Sequence, residues 1–493
     1  MTQSKPAAGP PSASGVRRGG DSFQDLFVWG GAMRIIGPES PFSQLEAESR
    51  DAAHVDDLVL RLTAADRGDL YTQAKWATNT AFLLDETYLL ARKKNGKSVL
   101  EKLYASYVQL SANGAAPQLR LITNRPLDSA HPLLGHVDGR TDLLMPHAGQ
   151  ADTISTAGKA VDAWADHIGA SRADLLKMLE QLQFHPGRTV NAERDYVRAR
   201  MVAAGLDDSD AALQHGLSTV AAWVEGGRRV VTAKDIHDAV DRLGLRRVAP
   251  SAILVVQAID FDPHADEATV ALDWVDLFDG DTPWVRVQPR DPGSWEQMAR
   301  DLADAAETLE GQGWRSTLVH GSMRQATFFR VGTALPAVRQ HTLRYLQGVQ
   351  LWSTDTPKSR IGAPRVHRTL LGLGNDLAVA VGVTVDPTNE IVDYLRAATI
   401  PVDHLLTITP TSGTDDQAIA GPGQAIAYAQ QIRDLVRGEL GRHLDVQRIH
   451  LFLAGPGGLA LLLGHRWNRT RQTVIYEHLG AGRGYTPAFT VRG

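Results

Sequence analysis

Gln73 and Lys75 stand two positions apart in the stretch Leu70 to Trp76, so in an extended strand their side chains leave from the same face. Asp57 comes sixteen residues earlier, at the head of the apolar run Leu58-Val-Leu. If the two stretches pair as a hairpin, a carboxylate, an amide oxygen and an ammonium converge. Phosphodiester hydrolysis uses such a set. The carboxylate holds a divalent ion, the amide oxygen completes its shell, and the ammonium orients the attacking water and stabilises charge on the phosphate. A further acid on the preceding element, expected to be a helix, completes the site, and Glu46 or Glu48 stands where it could supply it. Strand parity does not decide between Asp56 and Asp57, because a bulge could present either.

A second group of residues suits phosphate binding. Ile449 to Ala454 reads as a buried strand, followed by the turn Gly455-Pro456-Gly457-Gly458 and an apolar helix. A glycine-rich turn entering a helix exposes backbone N–H groups and the positive end of the dipole. Gly455, Gly457 and Gly458 form one such candidate cradle, and Gly321 with Ser322 a second. Arg324 is a candidate phosphate partner, and Tyr476 or Trp352 a candidate platform for a base.

These residues need elements to hold them. Residues 1–20, rich in Pro, Ser, Gly and Ala, read as a flexible tail. Ser22 to Ile36 has helical apolar spacing, with a bend or break expected at Gly30-Gly31. Strands are expected over Val55–Leu62, Leu70–Trp76 and Leu119–Thr123, with a long helix over Thr80–Leu110 before the last of them. Residues 171–250 read as an all-helical middle module. From Ser251, short apolar runs alternate with helical stretches, the signature of parallel α/β units whose ligands bind beyond the carboxyl ends of the strands. The expected organisation is therefore an α/β multidomain chain: tail 1–20, an α/β domain over 21–170, a helical linker over 171–250, and an α/β domain over 251–493 in two halves, 284–385 and 386–493.

Composition narrows the chemistry. The chain has 493 residues, 43% hydrophobic and 22% charged, with a formal net charge of -5, which suits a multidomain globular protein and excludes a globally basic nucleic-acid binder. It has no cysteine, so thiolate metal sites and disulfides are excluded, and oxygen ligands favour magnesium or manganese. No apolar run approaches the length of a membrane span and no signal pattern is present at the N-terminus, so a cytoplasmic location is expected.

The segment Asp56-Asp57-Leu-Val-Leu with Tyr-Thr-Gln73-Ala-Lys75, preceded by Leu-Glu46-Ala-Glu48, resembles the PD-(D/E)xK nuclease superfamily in its Gln-x-Lys variant. That resemblance favours Asp57, since the superfamily's strand aspartate usually precedes the apolar run. The C-terminal residues, with Thr473-Val-Ile-Tyr476-Glu477 and Gly484-Tyr485-Thr-Pro487 beside the Gly455 turn, look like the SAVED domain, a sensor of two halves similar to CRISPR-associated Rossmann-fold (CARF) domains. In this order the two resemble the CD-NTase-associated nuclease effectors of CBASS, the bacterial anti-phage system. The resemblance implies a cyclic di- or trinucleotide made by a partner CD-NTase, a ligand-induced homo-oligomer, and cleavage of double-stranded DNA. Two other readings stand beside it. One is a non-catalytic cyclic-oligonucleotide receptor with a degenerate nuclease domain, which Gln73 keeps open. The other is a restriction-type nuclease sensing modified DNA, against which the lack of a basic or aromatic stripe counts.

Overall fold

The computed structural model describes residues 13–64, 68–79, 81–92, 94, 96–112, 116–348 and 350–492. It divides into two units, Met1–Pro250 and Ser251–Gly493. No helix among the described residues is long and apolar enough to cross a membrane.

Unit 1 opens with α1 (Ala13–Ile36), β1 (Phe42–Ala47), β2 (Leu58–Leu62) and β3 (Leu70–Lys75), then α2 (Glu86–Leu90), α3 (Val99–Ser111), β4 (Gln118–Thr123), α4 (Pro146–Gly149), α5 (Thr156–Ile168) and α6 (Arg172–Leu179). It continues through β5 (Leu182–His185), α7 (Val190–Ala203), α8 (Asp210–Glu225), β6 (Val230–Thr232) and α9 (Ala233–Arg242). The strands form one mixed sheet in the order β5-β4-β3-β2-β1-β6. Alternation along β2 shows why both faces are covered. Leu58 and Leu60 join Leu26, Trp29 and Met33 of α1 and residues of α7, α8 and α9. Val59 faces the other way, with Tyr71, Leu100, Val161 and Leu175. A strand buried on both faces reads as a continuous apolar run.

Several expectations need correction here. Residues 1–12 of the expected tail lie outside the described residues, and 13–20 form the first turns of α1. The helix runs unbroken through Gly30-Gly31. Those glycines serve close packing instead, since a Cβ on Gly30 would sit 3.3 Å from Val197 Cγ2 and one on Gly31 3.2 Å from Leu58 Cδ2. The helix expected over Thr80–Leu110 is the two shorter helices α2 and α3. Residues 171–250 are no separate module: β5 pairs with β4 and β6 with β1, extending both ends of the sheet.

Unit 2 has two sheets. The first, β11-β10-β9-β7-β8, uses β7 (Ala252–Gln257), β8 (Val270–Asp273), β9 (Ser316–His320), β10 (Thr342–Gln347) and β11 (Gln350–Ser353), with helices α10 (Ser294–Gly311) and α11 (Gln325–Ala334). The second, β12-β14-β13-β15-β16-β17, uses β12 (Arg365–Leu370), β13 (Asp376–Gly382), β14 (Val402–Thr409), β15 (Arg448–Ala454), β16 (Gln472–His478) and β17 (Tyr485–Val491), with α12 (Thr388–Ala397), α13 (Pro422–Arg442) and α14 (Gly457–His465). The halves are therefore displaced from the expected 284–385 and 386–493. β7 lies before residue 284 yet pairs with both β8 and β9, and β13 lies before 386 yet sits between β14 and β15. Strand pairing, not the midpoint of the segment, sets the boundary.

The halves meet where α11 crosses α14. A Cβ on Gly332 would fall 2.2 Å from the Leu461 carbonyl oxygen, and one on Gly464 2.1 Å from that of Phe329. Only a backbone without a side chain permits that approach. Gly332→Ala is expected to destabilise the protein by about 1–3 kcal/mol through overpacking. Gly438→Ala, in α13 with nothing within 4 Å of its added Cβ, should stabilise it by about 0.5–1 kcal/mol. Denaturant unfolding of the full chain reads both.

Candidate functional site

In unit 1 the antiparallel register Leu58↔Thr72 sets Asp57 across from Gln73. Asp57 Oδ2 accepts from the Ala74 backbone N–H at 2.7 Å and, at very short range, from the Gln73 amide nitrogen, while Oδ1 accepts from Gln24 Nε2 of α1 at 3.0 Å. Burial raises its pKa, and the nearby Lys75 charge opposes that rise. The structure thus brings Asp57, Gln73 and Lys75 together. Asp56 is half-exposed and acts on Asp57 through its charge.

The expected companions separate. Neither is on a helix. Glu46 lies in β1, where its carboxylate takes Arg61 Nε at 2.7 Å and Ser49 Oγ at 2.6 Å. Burial would raise its pKa, but these bonds hold it below the usual value. Arg61 in turn reaches Asp69 and the Tyr71 hydroxyl, so Glu46 is occupied in a structural network. Glu48, just past the strand in a left-handed conformation (φ 47°), lines the same pocket as Asp57.

That pocket, of about 320 Å³, adds three acids the spacing argument missed: Asp21 and Asp25 from α1 and Glu225 from the end of α8. Burial, then the charges of Asp21, Glu225 and Glu48, pushes Asp25 up to about 6. Asp21, Gln24, Asp25 and Val28 form an i, i+3, i+4, i+7 stripe, a signal present in the sequence. Among the described residues, five carboxylates line this pocket. Within it the charges of Asp21, Glu225 and Glu48 all act on Asp25.

In unit 2 a cavity of about 410 Å³ opens at the carboxyl ends of strands from both sheets. Ile259, Met323, Arg324 and Gln325 line it from the first half, and Asp386, Glu390, Gly455, Glu477, His478 and Tyr485 are among the lining residues of the second. Two of the expected ligand residues, Arg324 and Gly455, line this cavity. The Arg324 guanidinium donates to the carbonyls of Pro283, Trp284 and Arg286 at 2.9–3.2 Å, which points it at the loop that carries the exposed Trp284.

The remaining expected ligand residues do structural work. Gly321 (φ +106°) turns against the Val256 backbone, and Ser322 O accepts from the N–H groups of Ala258 and Ile259. Pro456 is the N-cap of α14, but the cradle behind it is plugged. Added Cβ atoms would strike Phe328 at Gly457 and Trp352 at Gly458, and the Gly458 N–H donates to Gln347 Oε1 at 2.9 Å. Trp352 is buried. Tyr476 is buried too, stacked on Phe452 with ring centroids 4.5 Å apart and bonded to His450.

Glu477 is the buried acid of the cavity. Its Oε2 accepts from the Ala326 N–H at the start of α11 at 2.9 Å, tying the two halves together. Burial pushes it up to about 7, against the Ala326 bond and the Arg324 charge.

Residues 296–491 match the family model of SAVED, the SMODS-associated and fused to various effectors sensor domain. CD-NTase-associated protein 4 of Enterobacter hormaechei subsp. hoffmannii (strain UCI 50) is 22% identical over 492 residues, spanning 93% of this chain and 95% of that protein. In solved structures the chain is similar to the Acinetobacter baumannii Cap4 SAVED/CARF-domain containing receptor with the cyclic trinucleotide 2'3'3'-cAAA, at 14% identity and a TM-score of 0.45 over 96% of this chain and 99% of that one. It is also similar to the Moraxella osloensis Cap4 SAVED/CARF-domain containing receptor, at 15% identity and a TM-score of 0.42 over 96% and 100%.

Two outcomes are expected from the charges. A carboxyl with a raised folded pKa contributes stability that is present below its unfolded value and lost as pH rises through the folded value. Between about pH 4.5 and 7 the protein should therefore lose up to about 3 kcal/mol through Glu477, and Glu477→Gln should flatten that part of the profile in pH-dependent denaturant unfolding. Asp25→Asn, which removes one charge from the acidic pocket, should raise the melting temperature by about 2–4 °C.

Proposed function

We propose that this chain, with a SAVED sensor domain behind an α/β unit holding an acidic pocket, is a cyclic-oligonucleotide-activated endonuclease of CBASS type acting on double-stranded DNA. The observation that carries the reading is the convergence of Asp57, Gln73 and Lys75, with Asp57 one of five carboxylates that line a single pocket, in one chain with a sensor domain. The similarity to CD-NTase-associated protein 4 along nearly the whole chain supports it.

Asp57, with Glu48 and Asp25, would hold Mg2+ or Mn2+, which supplies charge neutralisation and polarisation of a phosphate oxygen. Gln73 fixes the Asp57 carboxylate with its amide nitrogen, leaving the amide oxygen as a further ligand. The Ala74 N–H and Gln24 hold the same carboxylate from two other directions. Lys75 brings a compact cation to the place where the attacked phosphate gathers charge and orients the water beside it. A carboxylate held on three sides stays in one geometry through the reaction, which is how preorganisation lowers a barrier.

On this reading a cyclic di- or trinucleotide from a partner CD-NTase binds the sensor and favours a homo-oligomer in which cleavage proceeds. Binding shifts that equilibrium only as far as the messenger prefers the active assembly.

Plasmid degradation with Mg2+ or Mn2+ and a panel of cyclic di- and trinucleotides tests the proposal. Lys75→Ala should lower cleavage by about 100-fold or more while the messenger still raises the melting temperature. Cutting by this variant at the parent's rate would remove the site assignment. Messenger binding without cleavage by the parent would favour the non-catalytic receptor.

A further inference from the structure

The sensor cavity has an unusual charge pattern for a site that takes a polyanion. Asp386, Glu390 and Glu477 bring three carboxylates to its wall, while the guanidinium of Arg324 is engaged by backbone carbonyls. Phosphates cannot face these acids. A carboxylate accepts hydrogen bonds, so the groups that suit Asp386 and Glu390 are hydrogen-bond donors. In a cyclic oligonucleotide those donors are the N–H groups of the bases and the ribose hydroxyls.

The three acids are not equally available. Asp386 Oδ1 takes the Thr388 N–H at 3.0 Å and its hydroxyl at 2.5 Å, at the entry to α12. Glu477 takes two backbone N–H groups, from Ala326 and His478. Glu390, in the first turn of α12, is held on one oxygen, with Oε1 3.0 Å from His478 Nε2. Its side chain is 37% exposed and lines the cavity. Tyr485, whose ring lies 5.2 Å from that of His478, borders the same wall.

We infer that Glu390 reads the base of the messenger and selects guanine, through two parallel hydrogen bonds from guanine N1–H and N2–H to its carboxylate. Guanine is the base whose Watson–Crick edge offers two adjacent donors. Adenine and cytosine offer one amino group beside an acceptor, which the carboxylate repels, and uracil offers one ring N–H between two acceptors. Paired, charge-assisted bonds of this kind carry more discrimination than single ones. His478 positions the carboxylate through Oε1, and unstacked bases are commonly read on this edge. The inference rests on the sensor reading above and names the base that the same cavity prefers.

Calorimetric titration of the full chain with matched cyclic dinucleotides and trinucleotides, differing only in one base, tests it. The guanine member of each matched set should bind about tenfold or more tighter than its adenine counterpart. In Glu390→Gln that advantage should fall to within about threefold, because the amide presents one acceptor and one donor, while the dissociation constant of the all-adenine ligand moves little. His478→Asn should weaken the guanine preference without reversing it. An unchanged melting temperature of the ligand-free variants shows that they fold. A parent that prefers adenine or uracil members, or a Glu390→Gln variant that keeps the parent's ranking, overturns the inference and leaves the sensor reading standing. Failure of every cyclic oligonucleotide to bind overturns both.

Discussion

The crossing of α11 over α14 at Gly332 and Gly464 is the constraint on which unit 2 depends. Backbone atoms approach there to distances that any side chain would block. The crossing brings the carboxyl ends of the parallel strands of two separate mixed sheets to one opening. Open α/β sheets place ligands beyond those ends, and joining two of them doubles the walls available to one ligand. The same approach lets Glu477 of β16 reach the Ala326 N–H in the first turn of α11, so a sensor wall and the seam between halves share a residue. An apolar bulge at the seam would disturb both.

In unit 1 the corresponding constraint is electrostatic. In the pocket beside Asp57, Asp25 holds its proton far above the usual aspartate range, first through burial and then through the charges of Asp21, Glu225 and Glu48. Glu46 shows the opposite arrangement a few residues away: its carboxylate is matched by Arg61 and Ser49 and is held ionised. A satisfied acid serves the fold.

Much of this organisation could be read from the chain. β15 spans the segment expected for it, and the β2–β3 hairpin brings Asp57 to Gln73 as the spacing implied. The failures have physical causes. β1 reads poorly as a strand because Gln44 and Glu46 suit a helix as well, and β6 has three residues, too few to show a period. The Asp21–Asp25 stripe was legible as helical spacing, yet its partner Glu225 comes from a distant helix, and no local pattern reports that meeting. The glycines at 457 and 458 pose a more general difficulty. A glycine after a strand leaves room, but whether a phosphate or a neighbouring side chain such as Phe328 fills it is decided by tertiary packing.

The pairing of β6 with β1 bears on how the protein is made. Two hundred residues of chain separate Asp25 from Glu225. At synthesis rates of about 5–20 residues per second, the first acid waits about 10–40 s for the last. Until α8 and β6 emerge, the apolar face of α1 lacks its cover and the acidic pocket has no far wall. A nascent or prematurely terminated chain therefore carries every residue of the Asp57, Gln73 and Lys75 set without the enclosure around it, and the pocket comes into being late in translation.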